Sequence, residues 1–182
     1  ALNGVLGDYL AASDNPLAIA MGLRIAGTPL PVDRAALTAA FPDPGRKVLV
    51  LAHGLCMNDL QWSREGHDHG AALARDLGYA PLYLHYNSGR PVAANGRDFA
   101  LLMERLVREW PHPIERLVIL GHSMGGLVAR SAFHYATLAR HAWPNRLDDL
   151  VFLGTPHFGA PLERAGARAD LLLGISPYTA PF

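Results

Sequence analysis

The sequence predicts an α/β fold: a mainly parallel sheet with helices on both faces. Short apolar runs, amphipathic stretches of helical period between them, and brief Gly- and Pro-bearing connections carry that prediction. The 182 residues read as a single domain, 1–182, large enough to bury roughly two-thirds of the surface its unfolded form exposes.

The first stretch, "ALNGVLGDYLA", sets Leu2, Leu6, Tyr9 and Leu10 at helical spacing. The chain therefore opens inside a predicted helix, and its first residue is expected to be a cut point. In "PLAIAMGLRI" the residues Ile19, Met21, Leu23 and Ile25 alternate with small or charged ones, the period of a half-buried edge strand. "TPLP" and "PDPG" read as breaks around a short helix at "DRAALTAA". "KVLVLAHG" is a continuous apolar run, as expected of a strand covered on both faces.

The alternation then repeats. "GAALARDLGY" reads as a helix closed by Gly78, and "APLYLHY" as the next strand. Phe99, Leu102, Met103, Leu106, Val107 and Trp110 step by three and four along one helix face, which "PHP" ends. "ERLVILG" is a strand, "GGLVARSAFHYATLAR" a helix and "LDDLVFLG" a further strand. After "GTPHFGAPLERAG" no further strand is evident, so the fold is expected to be incomplete at both ends.

Half of the residues are apolar and 18% are charged, the balance of a globular chain. Sixteen basic residues match sixteen acidic ones, so no net field favours nucleic acid or an anionic membrane. One cysteine, Cys56, excludes an intrachain disulfide. It is expected to be a small buried residue rather than a nucleophile. No apolar run approaches the length of a membrane span and no signal peptide is seen, so the chain reads as soluble and cytoplasmic.

In a parallel sheet the reactive site lies beyond the carboxyl ends of the strands. The segments there are "HGLCMND", "HYNSGR", "GHSMGG" and "GTPHFGAP". Gly121-His122-Ser123-Met124-Gly125 fits G-x-S-x-G between a strand and a helix, a turn that exposes a nucleophilic serine. A side chain at 121 or 125 would collide with neighbouring backbone there. Attack on an ester creates an oxyanion, and two backbone N–H groups are placed to receive it: Met124 after the nucleophile, and Leu55 after His53-Gly54.

"VLAHGL", "ILGHSMGGLVAR" and "LGTPHFGAP" together resemble the α/β-hydrolase fold, and in particular bacterial lipases and esterases similar to GPI inositol-deacylase-like lipases. The resemblance covers roughly residues 45–165. It implies a serine esterase or lipase with Ser123 as nucleophile, an oxyanion hole from Leu55 and Met124, and His53, Gly54, Gly121, His122 and Gly125 as the supporting turns. Thioesterase or acyltransferase chemistry on the same serine, or a non-catalytic binding module, are the alternatives.

Such enzymes carry an acid and then a histidine on loops after later strands, which are not evident here. Asp148 and Asp149 precede their strand, at the far end of the sheet from Ser123, and Asp170 lies in a helical or loop segment. His134 and His141 lie too far along the following helix. His67 and His69, in "EGHDHG", fit a solvated helix start better than a metal site. His85 and His157 follow strands on the active side and are expected to line the pocket, with His157 the one internal alternative for a base. The acid and base are therefore expected outside this chain, and the isolated 182 residues are expected to turn over little.

"HYNSGR", "GTPHFGAPLE" and the tail "LLLGISPYTAPF" place apolar and aromatic residues around the expected mouth. The expected partner is a small-molecule or lipid ester with an apolar acyl group. Neither cofactor nor metal is required by this chemistry.

Overall fold

The computed structural model describes residues 2–42 and 45–159. Helices α1 (Leu2–Val5) and α2 (Gly7–Ala12) precede a hairpin of β1 (Gly22–Ile25) and β2 (Thr28–Leu30), then α3 (Arg34–Ala40) and β3 (Lys47–Ala52). A small hairpin, β4 (Ser63–Arg64) and β5 (His67–Asp68), leads into α4 (His69–Leu77) and β6 (Tyr79–His85). The remainder alternates: α5 (Val92–Glu109), β7 (Arg116–His122), α6 (Met124–Leu138) and β8 (Leu147–Leu153).

Six strands form one sheet in the order β2-β1-β6-β3-β7-β8. β6, β3, β7 and β8 run parallel, whereas β1 is antiparallel to both of its neighbours. Central β3 shows why its sequence is apolar throughout. Val48, Val50 and Ala52 enter the larger core with Phe99 and Met103 of α5 and Val128 and Ala132 of α6. Leu49 and Leu51 face the opposite way, against Trp62, Tyr83, Val118, Leu120 and Leu73 of α4. Both faces of the strand are thus covered, and alternation of polarity disappears.

Capping fixes the helix ends. Asp33 and Asp68 each accept a backbone N–H in the first turn of α3 and α4 at 2.8 Å, and Gly78 closes α4 in the left-handed conformation at φ 71. α5 and α6 approach closely: a methyl group on Gly96 would meet the Ser131 Oγ at 2.2 Å.

Several local expectations need correction. "TPLP" is not a break but β2, joined to β1 through Ala26 (φ 47) and Gly27 (φ 79). Two successive positive-φ residues turn the chain back with the twist of a hairpin, and an Ala in the first position concealed that turn. Glu65 (φ 52) and Gly66 (φ 79) repeat the device between β4 and β5, so "EGHDHG" begins as a hairpin and only His69 opens the helix. The first helix is two short ones, broken at Leu6. Asp148 and Asp149 lie within β8 rather than before it, where Asp148 accepts the Leu117 N–H at 2.7 Å and Asp149 pairs with Arg116 at 2.8 Å. They still lie at the end of the sheet opposite Ser123, because β7 and β8 are parallel.

Candidate active site

Ser123 stands between β7 and α6 at φ 51 and ψ −123, a conformation that residues with a side chain avoid unless their surroundings impose it. Its N–H donates to the Leu153 carbonyl at 2.8 Å, and its carbonyl accepts the Gly126 N–H at 3.1 Å. Close backbone packing does the rest. A methyl on Gly121 would come within 2.5 Å of Gly126 Cα, and one on Gly125 within 2.2 Å of the Ala52 carbonyl oxygen. Gly126 was not singled out in the sequence, although its space is as tight: a methyl there meets Thr155 Oγ1 at 2.1 Å. Met124 is the first residue of α6, so its N–H has no acceptor within the helix and points with the positive end of the helix dipole.

The loop after β3 comes up beside this turn. A methyl on Gly54 would stand 3.2 Å from Ser123 Cβ. His53 is buried, with its ring stacked on Tyr86 at 4.3 Å between centroids and its Nδ1 2.9 Å from the Gly54 carbonyl oxygen. Burial pushes its pKa down to about 4, so the ring is neutral and Nδ1 carries the donated proton. Leu55 is exposed. The three N–H groups that follow it are occupied: Cys56 donates to Ser88 Oγ at 3.1 Å, Met57 to the Gly54 carbonyl at 3.3 Å and Asn58 to Gln61 Oε1 at 3.0 Å. Among the described residues the Leu55 N–H has no acceptor. Cys56 is exposed rather than buried, because the loop leaves the sheet there and turns at φ 58.

His85 and His157 are committed elsewhere. His85 Nδ1 lies 2.9 Å from Asp59 Oδ1, and the Asp59 side chain is 2% exposed. Burial first, and the Arg24 charge second, hold the His85 pKa below its ordinary range. His157 Nδ1 is 3.0 Å from Arg130 Nη1 and therefore accepts a proton donor there. A triad histidine needs a carboxylate on one ring nitrogen, and His157 has a cation instead. It lines a cavity of about 710 Å³ with Val92, Leu127, Arg130 and His134. His122, whose buried Nδ1 has no partner among the described residues, lines a second cavity of about 420 Å³ with Met57, Trp62, His67, His69 and Leu153. His67 Nε2 and His69 Nδ1 are 2.9 Å apart. Among the described residues no group of three metal-ligating side chains is placed to hold an ion, and none hydrogen-bonds Ser123 Oγ. Asp170 and "LLLGISPYTAPF" lie outside the described residues, as does the end of "GTPHFGAPLE".

One expectation about the mouth is corrected. Tyr86, Asn87 and Ser88 do not line an opening but are buried as supports. Tyr86 donates to the His53 carbonyl at 2.7 Å, and Asn87 Nδ2 to the Gly7 carbonyl at 2.8 Å. Sequence reasoning read a polar segment after a strand as a rim, and missed Asp59 altogether. Its signal was a carboxylate seven residues after Ala52, the end of β3, in a loop that also had to be held down.

No described helix is long and apolar enough to cross a membrane. A search of curated proteins finds no match. Two solved structures of a Bacillus licheniformis lipase, BlEst2, are similar to this chain. The mature form superposes with a TM-score of 0.54 at 23% identity, covering 71% of this chain and 51% of the lipase. The propeptide form gives 0.54 at 22% identity, covering 85% and 31%. This chain thus spans about half the length of the mature lipase, and the likeness establishes the α/β-hydrolase fold. A model of the PGAP1-like alpha/beta domain matches residues 47–177, well over half of the sequence, and the chain belongs to that family.

Proposed function

We propose that this domain is the nucleophile-bearing part of a serine hydrolase that cleaves a carboxylic ester through an acyl-Ser123 intermediate. The observation that carries the reading is the conformation of Ser123, held at φ 51 and ψ −123 at the start of α6 with the Gly54 loop against it. Backbone strain of this kind persists where the surroundings over-determine it, as at a nucleophile elbow. The similar structures are those of a lipase, which agrees with the chemistry.

In this mechanism Ser123 Oγ attacks the ester carbonyl carbon while its proton passes to a histidine base. The carbonyl oxygen becomes an oxyanion and takes hydrogen bonds from the Leu55 and Met124 N–H groups. Collapse breaks the bond to the alcohol, which leaves with the proton from the histidine. Water then repeats the sequence on the acyl-enzyme and frees the acid. The base and its carboxylate are proposed to come from outside residues 2–159, because His85 and His157 already pair with Asp59 and Arg130. The 182 residues by themselves are then expected to turn over slowly, since an oxyanion hole and binding alone supply only about 10³- to 10⁴-fold acceleration over water.

A fluorophosphonate probe on the full-length protein tests the reading. Labelling at Ser123 that disappears in Ser123→Ala is expected; labelling that survives the substitution removes Ser123 as nucleophile. Comparing an ester, its thioester and an added alcohol acceptor separates hydrolase from thioesterase and acyltransferase. An apolar acyl group is the proposed substrate class, so rates across p-nitrophenyl esters should not fall steadily from acetate upward.

A further inference from the structure

The last residue of β6 and the segment that follows it grip the loop after β3 at three points. Tyr86 donates to the His53 carbonyl at 2.7 Å and stacks on its ring. Ser88 Oγ accepts the Cys56 N–H at 3.1 Å. His85 Nδ1 donates to Asp59 Oδ1 at 2.9 Å, and Arg24 of β1 faces the same oxygen at 3.5 Å. The grips fall at residues 53, 56 and 59, on both sides of Leu55. Each uses a buried or largely buried group: Ser88 and Tyr86 are within the core, and Asp59 is covered.

The middle grip bears on conformation. Cys56 sits at φ 58, which a cysteine does not adopt without an external hold. The bond from its N–H to Ser88 fixes the peptide plane between Leu55 and Cys56. With that plane fixed, Tyr86 on the His53 carbonyl, and the Gly54 carbonyl held by the Met57 N–H at 3.3 Å and His53 Nδ1 at 2.9 Å, the Gly54–Leu55 peptide is held on both sides, and the freedom left to the Leu55 N–H is movement of the loop as a whole. Asp59 removes that freedom by tying the loop's far end to β6 and β1. His85, neutral because of burial and the Arg24 charge, presents Nδ1–H to the carboxylate.

We infer that Ser88 and the Asp59–His85 pair are positioning residues for the Leu55 N–H: they hold it where it meets the carbonyl oxygen of an ester attacked by Ser123. The inference rests on the proposed hydrolase reading, in which Leu55 supplies an oxyanion donor. None of these residues touches substrate. Their effect passes through the peptide they hold, and it should appear in the chemical step rather than in binding.

The test uses the full-length protein and four variants: Ser88→Ala, His85→Ala, His85→Asn and Asp59→Asn. Ser88→Ala removes a single oxygen and almost no volume, so it keeps the test decisive if the charge-pair variants fold poorly. His85→Asn retains an N–H donor at the position of Nδ1. The rate of Ser123 phosphonylation by a fluorophosphonate, in which Oγ bonds to phosphorus and fluoride leaves, and kcat and KM for a p-nitrophenyl ester, are measured beside circular dichroism. Ser88→Ala, Asp59→Asn and His85→Ala are expected to lower kcat and the phosphonylation rate ten- to hundred-fold, with KM within about two-fold and the spectrum unchanged. His85→Asn is expected to recover most of the loss. Folded variants with undiminished kcat, a rise in KM alone, or a His85→Asn as slow as His85→Ala would overturn the inference while leaving the hydrolase reading intact. A parent protein that the probe does not label at Ser123 would overturn that reading, and this inference with it.

Discussion

Gly54 and Ser123 face each other across the ends of adjacent strands: a methyl on Gly54 would lie 3.2 Å from Ser123 Cβ and 3.3 Å from His122 Nδ1. Such contacts yield by a few tenths of an ångström instead of breaking the fold. Gly54→Ala is therefore expected to cost about 1 kcal/mol of stability or less. Turnover should fall ten-fold or more, since small displacements at a reacting centre are expensive. Urea unfolding beside ester kinetics checks both. Unchanged turnover would separate this loop from the reacting carbonyl.

Gly121 and Gly125 should behave in the opposite way. Their missing methyl groups would collide with backbone, Gly126 Cα at 2.5 Å and the Ala52 carbonyl oxygen at 2.2 Å. Backbone cannot rotate aside as a side chain can. Substitution by alanine at either position is expected to destabilise by roughly 3 kcal/mol. A midpoint shift within experimental error would show that α6 can slide relative to β3.

Ser123 itself stores strain that glycine would release. At φ 51 and ψ −123 a side-chain carbon is disfavoured, and such strain costs about 1 to 3 kcal/mol. Glycine's greater freedom in the unfolded chain returns some of that gain. Ser123→Gly is expected to be about 1 kcal/mol more stable than Ser123→Ala by urea unfolding, although both lack the hydroxyl. Equal stabilities would mean that the turn has relaxed in solution.

The parallel core of the sheet was legible because β3, β6 and β7 are apolar on both faces, a pattern that tertiary context enforces and sequence displays directly. The β1–β2 and β4–β5 hairpins were not, since their turns place Ala26 and Glu65 in the left-handed region where glycine or asparagine normally gives the signal. For the site, Ser123 and its glycines were readable from spacing alone. Asp59, Tyr86 and Ser88 were not, because their partners lie 26 to 33 residues away and only strand order brings them together.

His53 makes stability depend on pH. Its pKa is about 4 in the folded state against 6.5 for an unperturbed histidine, so the unfolded chain binds the proton more readily. Its contribution is full above about pH 6.5 and is lost as pH falls towards 4, amounting to roughly 3 kcal/mol across the window. His53→Asn keeps a donor for the Gly54 carbonyl but cannot titrate. Between pH 7 and 4.5 the variant should lose less stability than the parent; parallel curves would place the titrating group elsewhere.

Two side-chain amides hold the N-terminal helices: Asn3 donates to the Leu17 carbonyl at 2.8 Å and accepts the Ile19 N–H at 2.9 Å, and Asn87 ties α2 to the turn after β6. Asn87 Nδ2 donates to the Gly7 carbonyl at 2.8 Å, and its Oδ1 accepts the Gly89 N–H at 3.2 Å. The fit around it is close, for a methyl on Gly89 would meet the Asn3 carbonyl oxygen at 2.3 Å and one on Gly4 would meet Cys56 Cα at 2.6 Å. Apolar burial adds little there, because Leu2, Val5, Leu6 and Tyr9 are exposed and Leu10 alone of the large side chains in α2 is buried. Asn87→Ala removes the bond to the Gly7 carbonyl and the one to the Gly89 N–H, at about 1 to 3 kcal/mol. Where few apolar contacts hold a segment, that cost is felt as local opening before global unfolding. Amide hydrogen exchange should accelerate across residues 2–12 and in the 87–90 turn while β3 and β7 keep their protection. Acceleration spread evenly over the sheet would show instead that Asn87 supports the whole fold, and that α1 and α2 are not a separately yielding unit.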